Sequence, residues 1–375
     1  MNKALRMFWT NTRDAVSIWG AGIILFIVGL VVAFQFVGPP PPERIVMATG
    51  AEGGAYRLYA ERFATSLAKV GIEVEFRTTA GAVENLALLA HDDTVDVGFV
   101  QGGLTESDAS EGVVALGSLY YEPLWVFVNS DAGIISLDDI VGKRVAGGSV
   151  GSGTRAVVMQ LLNLSGFGPK ATRFLDTEPG DLAAGFENGD IDVAFLVGAP
   201  DSEYVSQLVH MRGVELLSLK RADAYVRYSP YFSRITLPQG VLDLGNNLPS
   251  ADTTTVAVTA MLAAKEDLHP ALNDLLLISA QEVFGQHSLL ADAGQFPTER
   301  YTDLPLSREA RRFYQYGPPF LMRYLPFWAA TLVDRLWVVL LPFIGLALAG
   351  QAVAAGLPLA HSPPVAASLR GSRCH

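Results

Sequence analysis

The sequence predicts an α/β body of two similar lobes held between two apolar segments. Three observations carry that expectation: an uncharged 20-residue run near the start with a second apolar run near the end, strands alternating with amphipathic helices in between, and a strand–Gly loop–helix unit that occurs twice. At 375 residues the chain can hold two ordinary domains and bury a substantial core. It is 50% hydrophobic and 17% charged, with a mean hydropathy of +0.29, which is more apolar than a freely soluble chain usually is.

The excess apolarity sits at the ends. Ile18 to Val37 carries no charge and one polar residue, Gln35, and Lys3, Arg6 and Arg13 precede it. Twenty such residues in a helix span a hydrocarbon core of about 30 Å, and the basic flank keeps the amino end in the cytoplasm. A cleaved signal peptide is the rival reading. Its apolar region would be shorter and would end in a small-x-small site, whereas this run ends Phe34-Gln-Phe-Val37. The expectation is therefore a cytoplasmic N-terminus (1–17), an uncleaved transmembrane anchor (18–38) and a Pro-rich stalk (39–43). A second transmembrane helix is expected over 332–355, with Pro342 inside it and Tyr324, Phe327 and Trp328 as an aromatic belt before it. A buried C-terminal core helix is the alternative. The tail, 356–375, would then be cytoplasmic and the body between the spans extracytoplasmic.

Each end segment carries a net +2, so the total of −11 leaves −15 on the body. An acidic body excludes phosphate-neutralising nucleic-acid binding. The one cysteine, Cys374, rules out an internal disulfide and a thiolate cluster, and the six His residues form no ligand-spaced pair. No metal or cofactor is expected.

Within the body, Arg44–Ala48 reads as a buried strand, Thr49–Gly54 as a loop, and Ala55–Lys69 as a helix with Tyr56, Tyr59, Ala60, Phe63, Ala64 and Leu67 on one face. A strand over 73–78, a helix over 83–90 and a strand over 95–100 follow. The pattern recurs with a long strand or strand pair over 116–129, a strand over 143–147, a Gly loop, a helix over 154–164, a strand over 172–176, a helix over 181–187 and a strand over 191–197. Leu86-Ala87, Asp96-Val97, Phe99 and Gly102 match Leu182-Ala183, Asp192-Val193, Phe195 and Gly198 without gaps at an offset of 96 residues. A strand over 253–260 and a helix over 272–284 return the chain to the first lobe. The expected organisation is lobe 1 from 44–130 and 230–300, lobe 2 from 131–229, and a juxtamembrane segment over 301–331.

Gly147 to Arg155 is the richest motif and supports several chemistries. Gly147-x-Ser149-x-Gly151 matches a nucleophile elbow, which would make Ser149 a hydrolase nucleophile. Gly151-x-Gly153-x-x-Ala156, with Asp176 downstream, resembles a dinucleotide fingerprint. A P-loop is excluded because Thr154 stands where Lys is required. All three share one physical core: a Gly/Ser loop opening a helix offers free N–H groups and the positive dipole end to an anion. Arg155 at that helix start would be offset by an anionic partner, or would simply point to solvent. Thr49–Gly54 and Thr78–Ala82 have the same design, and Gln101, Gly198 and Asp201 also follow strand ends, where open α/β sheets bind ligands.

Ala48-Thr-Gly-Ala-Glu-Gly-Gly-Ala-Tyr56, Thr79-Ala-Gly-Ala-Val-Glu-Asn-Leu86, Asp96-Val-Gly-Phe-Val-Gln101 and Gly151-Ser-Gly-Thr-Arg155 together resemble the TAXI family of TRAP-transporter solute receptors, over roughly Ile45 to Pro297. Leu304 to Trp328 and Asp334-Arg335 resemble a membrane-anchored branch of it. The resemblance implies a two-lobed type II periplasmic-binding-protein fold, no catalysis, a bacterial inner-membrane location, and delivery of a small anionic solute, an amino acid or organic acid, to TRAP membrane subunits. It also implies a pocket drawn from Thr49, Gly53, Tyr56, Gly81, Ala82, Gln101, Ser152, Gly153, Thr154 and Arg155. Ala51-Glu52 departs from the small or hydroxyl residues usual there, and Glu52 in the cleft would repel a carboxylate. After about Ile344 the tail also departs from the branch and reads as a frame-shifted or recent replacement. A tethered sensory or scaffolding protein that reuses the fold without transport is the runner-up.

Overall fold

A computed structural model of the protein describes residues 24, 26–32, 39–104, 110–166 and 172–354. The chain divides into two compact units, Pro41–Phe327 and a second made of Met1–Pro40 with Trp328–His375.

The larger unit begins with β1 (Arg44–Ala48), α1 (Ala55–Ala68), β2 (Glu73–Arg77), α2 (Ala82–His91) and β3 (Val97–Gln101), a parallel set ordered β2-β1-β3. After the long β4 (Val113–Asn129) the arrangement recurs as β5 (Arg144–Ala146), α3 (Gly153–Leu164), β6 (Arg173–Leu175), α4 (Leu182–Glu187) and β7 (Val193–Val197), ordered β6-β5-β7. Then come α5 (Glu203–Val209), β8 (Val214–Leu216), α6 (Ala222–Tyr228), β9 (Ser233–Leu237), β10 (Thr253–Lys265), α7 (Pro270–Phe284), α8 (Arg308–Tyr316) and α9 (Phe320–Tyr324). The result is a mixed α/β fold on one curled sheet, β2-β1-β3-β10-β4-β7-β5-β6, with β8 added to β4 and β9 to β10.

Two long antiparallel strands join the halves. β4 pairs with β10 from Val113 to Pro123 and with β7 from Leu124 to Val128. Every residue of β4 except Asn129 is buried, as expected for a strand covered on both faces. β10 pairs first with β9 and then with β3 and β4. The first half is filled by Phe63, Phe99, Leu262 and Leu276, the second by Val158, Leu161, Phe195 and Trp125. Each such large side chain contributes about 1.5–3 kcal/mol on leaving water. Leu237 of β9 and Val256 of β10 pack in the second half, as does Phe232 just before β9, so β9 and the start of β10 build that core. Ala310 and Phe313 of α8 complete the first core, and Arg312 donates to both carboxylate oxygens of buried Asp274 at 2.8 and 2.5 Å.

The 96-residue sequence match has a structural counterpart. Asp96 accepts from Val46 N at 2.7 Å and returns its own N–H to Val46 O at 3.0 Å. Asp192 does the same with Arg144, at 2.8 and 3.0 Å. Each aspartate thus fastens the start of the half's third strand to its first.

From Trp328 onward α10 (Phe327–Ala354) belongs to the smaller unit, in which the Phe26 and Phe343 rings meet edge-on at 4.8 Å between centroids. Among the described residues no helix is long and apolar enough to cross a membrane. This corrects the expected second span. The second, 332–355, does coincide with a helix, but α10 also carries the charged Asp334 and Arg335. The first, 18–38, lies mostly outside the described residues, as does the tail 356–375.

Candidate functional site

β1, β3, β5 and β7 end on one edge of the sheet, and the loops after β1, β5 and β7 lead into α1, α3 and α5, while the loop after β2 leads into α2. These loops enclose a cavity of about 80 Å³ between the two halves. Tyr56, Gly81, Ala82, Gln101, Ser152, Gly153, Thr154 and Gly198 all line it, bringing together residues spread over 143 positions of sequence.

Three helix starts meet there. Gly54 caps α1 and Gly81 caps α2, and neither helix has a side-chain cap hydrogen bond. The first-turn N–H groups of Ala55, Tyr56 and Ala82 therefore stand at the cavity's helix starts with no side-chain cap competing for them. Gly81 sits at φ +134°, a conformation that strains any residue with a Cβ. In α3 the Ser152 hydroxyl accepts from Arg155 N at 3.2 Å and donates to Ser149 O at 2.7 Å, which leaves Gly153 and Thr154 N–H without a cap. Thr154 Oγ1 accepts from Val197 N at 3.0 Å and ties α3 to β7. Gly153 is required by packing, since a Cβ there would overlap the Gln101 side-chain oxygen. That carboxamide is 1% exposed, and its Nε2 has no hydrogen-bond partner among the described residues. A buried donor left unpaired costs about 1–3 kcal/mol, so this one is set to meet an acceptor.

The halves already touch across the cavity. Glu84 N donates to Gly151 O at 3.2 Å, Glu203 N donates to Gly53 O at 3.2 Å, and the Tyr204 hydroxyl donates to Glu52 O.

Four expected pocket residues lie elsewhere. Thr49 is fully buried, with its hydroxyl on Gly50 O and Arg77 O at 3.3 Å each. Gly53 supports the contact with α5 through its carbonyl. Arg155 turns back into its own half, donating to Gly148 O at 3.2 Å, approaching Asp176 at 3.5 Å and lying 4.9 Å over the Phe174 ring. It offers its charge to Asp176 and stays outside the cavity lining. Asp201 accepts from the Tyr59 hydroxyl at 2.9 Å and pairs with Arg62 at 3.3 Å, on the wall of a larger cavity of about 500 Å³ whose other walls include Tyr120, Phe284 and His287. The smaller cavity is the better solute site despite its size, because the uncapped amides and the orphaned carboxamide converge there.

Glu122 was not foreseen. It stands on β4, 3% exposed, and is the one charged side chain lining the small cavity among the described residues. It accepts from the Tyr56 hydroxyl at 2.9 Å and from the Tyr120 hydroxyl at 3.4 Å. Burial pushes its carboxyl up to about 7 and the two tyrosine bonds only partly oppose this. Burial and the nearby carboxylate likewise raise Tyr56 and Tyr120 well above the usual phenol range. A lone acid inside the apolar run Leu119-Tyr-Tyr-Glu-Pro-Leu-Trp125 was the available signal. Glu52, by contrast, is exposed and does not line the cavity. The Ser149 hydroxyl is buried with no partner among the described residues, so no base is placed to activate it.

Three helix starts, two of them without a side-chain cap, thus converge with the Gln101 carboxamide between the two α/β halves, and among the described residues no base bonds the Ser149 hydroxyl. Residues 47–276 match the model of the NMT1-like family, and the chain belongs to that family. The match does not single out TAXI receptors within it. Among solved structures, the chain is similar to the periplasmic aliphatic sulphonate binding protein SsuA from Escherichia coli, at 16% identity over 65% of this chain and 73% of that one, TM-score 0.43. It is also similar to an ancestral arginine-binding protein bound to arginine (16%, 65% and 93%, 0.43) and to the effector binding domain of a BenM variant (12%, 65% and 95%, 0.42).

Proposed function

We propose that the protein is a non-catalytic solute receptor that closes its two lobes on a small solute bearing an anionic group, with Phe232, Leu237, Val256 and Val258 belonging to the second lobe's core and not, as expected, to lobe 1 (44–130 and 230–300). The solute class is an amino acid or organic acid, and its acceptor is a TRAP-type membrane transporter. The observation that carries this is the convergence on one cavity of three helix starts, two with no side-chain cap and the third capped by Ser152 only at Arg155 N, together with the unpaired Gln101 Nε2. Backbone N–H groups at positive dipole ends hold carboxylates or related anions without a basic side chain. The TRAP assignment rests on the loop motifs, and a tether over 18–38, which lies mostly outside the described residues, rests on its uncharged apolar run and basic flank. A tether raises the local concentration of the receptor at a transporter.

The test is thermal unfolding of the full-length protein against a panel of amino acids and organic acids, in the parent and in Gln101→Leu. A bound solute at 100 times its Kd stabilises by about 2.7 kcal/mol. The variant removes a buried unpaired donor, so it should unfold no earlier than the parent when empty, yet lose about tenfold or more in solute affinity. Stabilisation by neutral solutes only, or undiminished binding in the variant, would contradict the reading.

A further inference from the structure

We propose that Glu122 is the counter-charge for an ammonium group on the solute, so that the cleft selects a zwitterion with an amine and an anionic group in one small molecule. This rests on the reading of the cavity as the solute site. The cavity presents two unlike ends. One is the set of amides from Ala55, Tyr56, Ala82, Gly153 and Thr154 with Gln101 Nε2, all suited to an anion. The other is a carboxylate, and no Lys, Arg or His lines the cavity among the described residues.

An ionised carboxylate has about four acceptor sites, and Tyr56 and Tyr120 occupy two of them. The charged groups around Glu122 do not supply a cation. α1 contributes Tyr56, Tyr59 and Arg62, and Arg62 is spent on Asp201. β4 contributes Tyr120, and the loop after β7 contributes Asp201, a second negative charge that bonds Tyr59. On β10 the register partner of Glu122 is Val258, which is apolar. A buried carboxylate without a cation is costly, and burial accordingly raises its pKa. An ammonium beside it would restore the ionised form. A dianion placed there would meet repulsion instead.

The experiment is titration calorimetry of the full-length protein with matched solutes that differ only in the amine: alanine against lactate, and glutamate against 2-hydroxyglutarate. At pH 8, where Glu122 is ionised, the amine-bearing member should bind about 10- to 1000-fold more tightly, the range that an opposite charge within 4–6 Å imposes on a titration. In Glu122→Gln this preference should collapse while the hydroxy acids bind at least as well as to the parent. Near pH 7, repeating the titration in buffers of different ionisation enthalpy should show net proton release with the amine. Equal binding of amine and hydroxy acids would overturn the inference while leaving the anion-binding cleft intact. Proton uptake would also overturn it, because it would mean that protonated Glu122 donates to the solute. Failure of both members of each pair to bind would remove the cleft reading and this inference together.

Discussion

Replacing Glu122 with Gln should change the pH dependence of stability in a direction and size the structure sets. The carboxyl is raised from an ordinary 4.5 to about 7, chiefly by burial. A shift of about 2.5 units corresponds to roughly 3 kcal/mol of differential stability. Because the folded value lies above the unfolded one, the stabilisation is fully present below about pH 4.5. It is lost as pH rises through about 7, since the unfolded chain releases a proton that the fold retains. Gln keeps the shape and one acceptor oxygen for the tyrosines but carries no titration. Whatever the amide costs in hydrogen bonding is the same at every pH. The stability of the variant relative to the parent should therefore improve by about 3 kcal/mol between pH 4.5 and pH 8. Urea unfolding followed by tryptophan fluorescence, without solute, measures this difference, and titrations common to both proteins cancel. A pH-independent difference, or one that moves in favour of the parent at high pH, would refute the claim that Glu122 is a buried, unpaired acid.

Asp192→Asn should cost about 2 kcal/mol near neutral pH, because Arg144 donates through Nε and Nη2 at 3.0 and 2.5 Å and its backbone N–H adds a third bond. Hydrogen bonding to Arg144 holds Asp192 below the usual carboxylate range. Its contribution is present above about pH 4 and is lost as pH falls, so acid unfolding should begin at higher pH in the variant. Gly117→Ala should destabilise by about 1–3 kcal/mol, since φ is +147° and a Cβ would overlap the Tyr314 hydroxyl and sit 3.0 Å from Thr298 O. Gly112→Ala, at φ +73° with no atom within 4 Å of the new methyl, isolates the backbone cost of about 1–2 kcal/mol. Equal losses in these two variants, read from melting temperatures, would show that the Tyr314 contact is irrelevant.

Much of the scaffold was legible because it is written in local periodicity. Tyr59, Ala60, Phe63 and Leu67 announce α1 by helical spacing, and the continuous apolar run of β4 announces a strand buried on both faces. The paired aspartates were visible as a 96-residue match, although their shared task of tying strand to strand was not. Eight of the twelve expected pocket residues fall on the cavity lining for the same reason, since glycine-rich helix starts at strand ends are local signals. Arg155 was misplaced because its partners, Asp176 and Phe174, come from the far side of the β5–β6 crossover. Asp201 was misplaced because Tyr59, 142 residues earlier, draws it to the other cavity. Glu122 was missed because its meaning depends on Tyr56, 66 positions away, and on the absence of any cation among the described residues lining the cavity.

Amide hydrogen exchange at the three helix starts tests the central claim most directly. The full-length protein would be compared with and without a saturating amino acid or organic acid that produces a thermal shift. The account predicts that protection rises together in the first turns of α1, α2 and α3, at Ala55–Tyr56, Ala82 and Gly153–Thr154. Protection confined to the walls of the larger cavity, around Phe284 to Ala291, with those three turns unchanged, would contradict it.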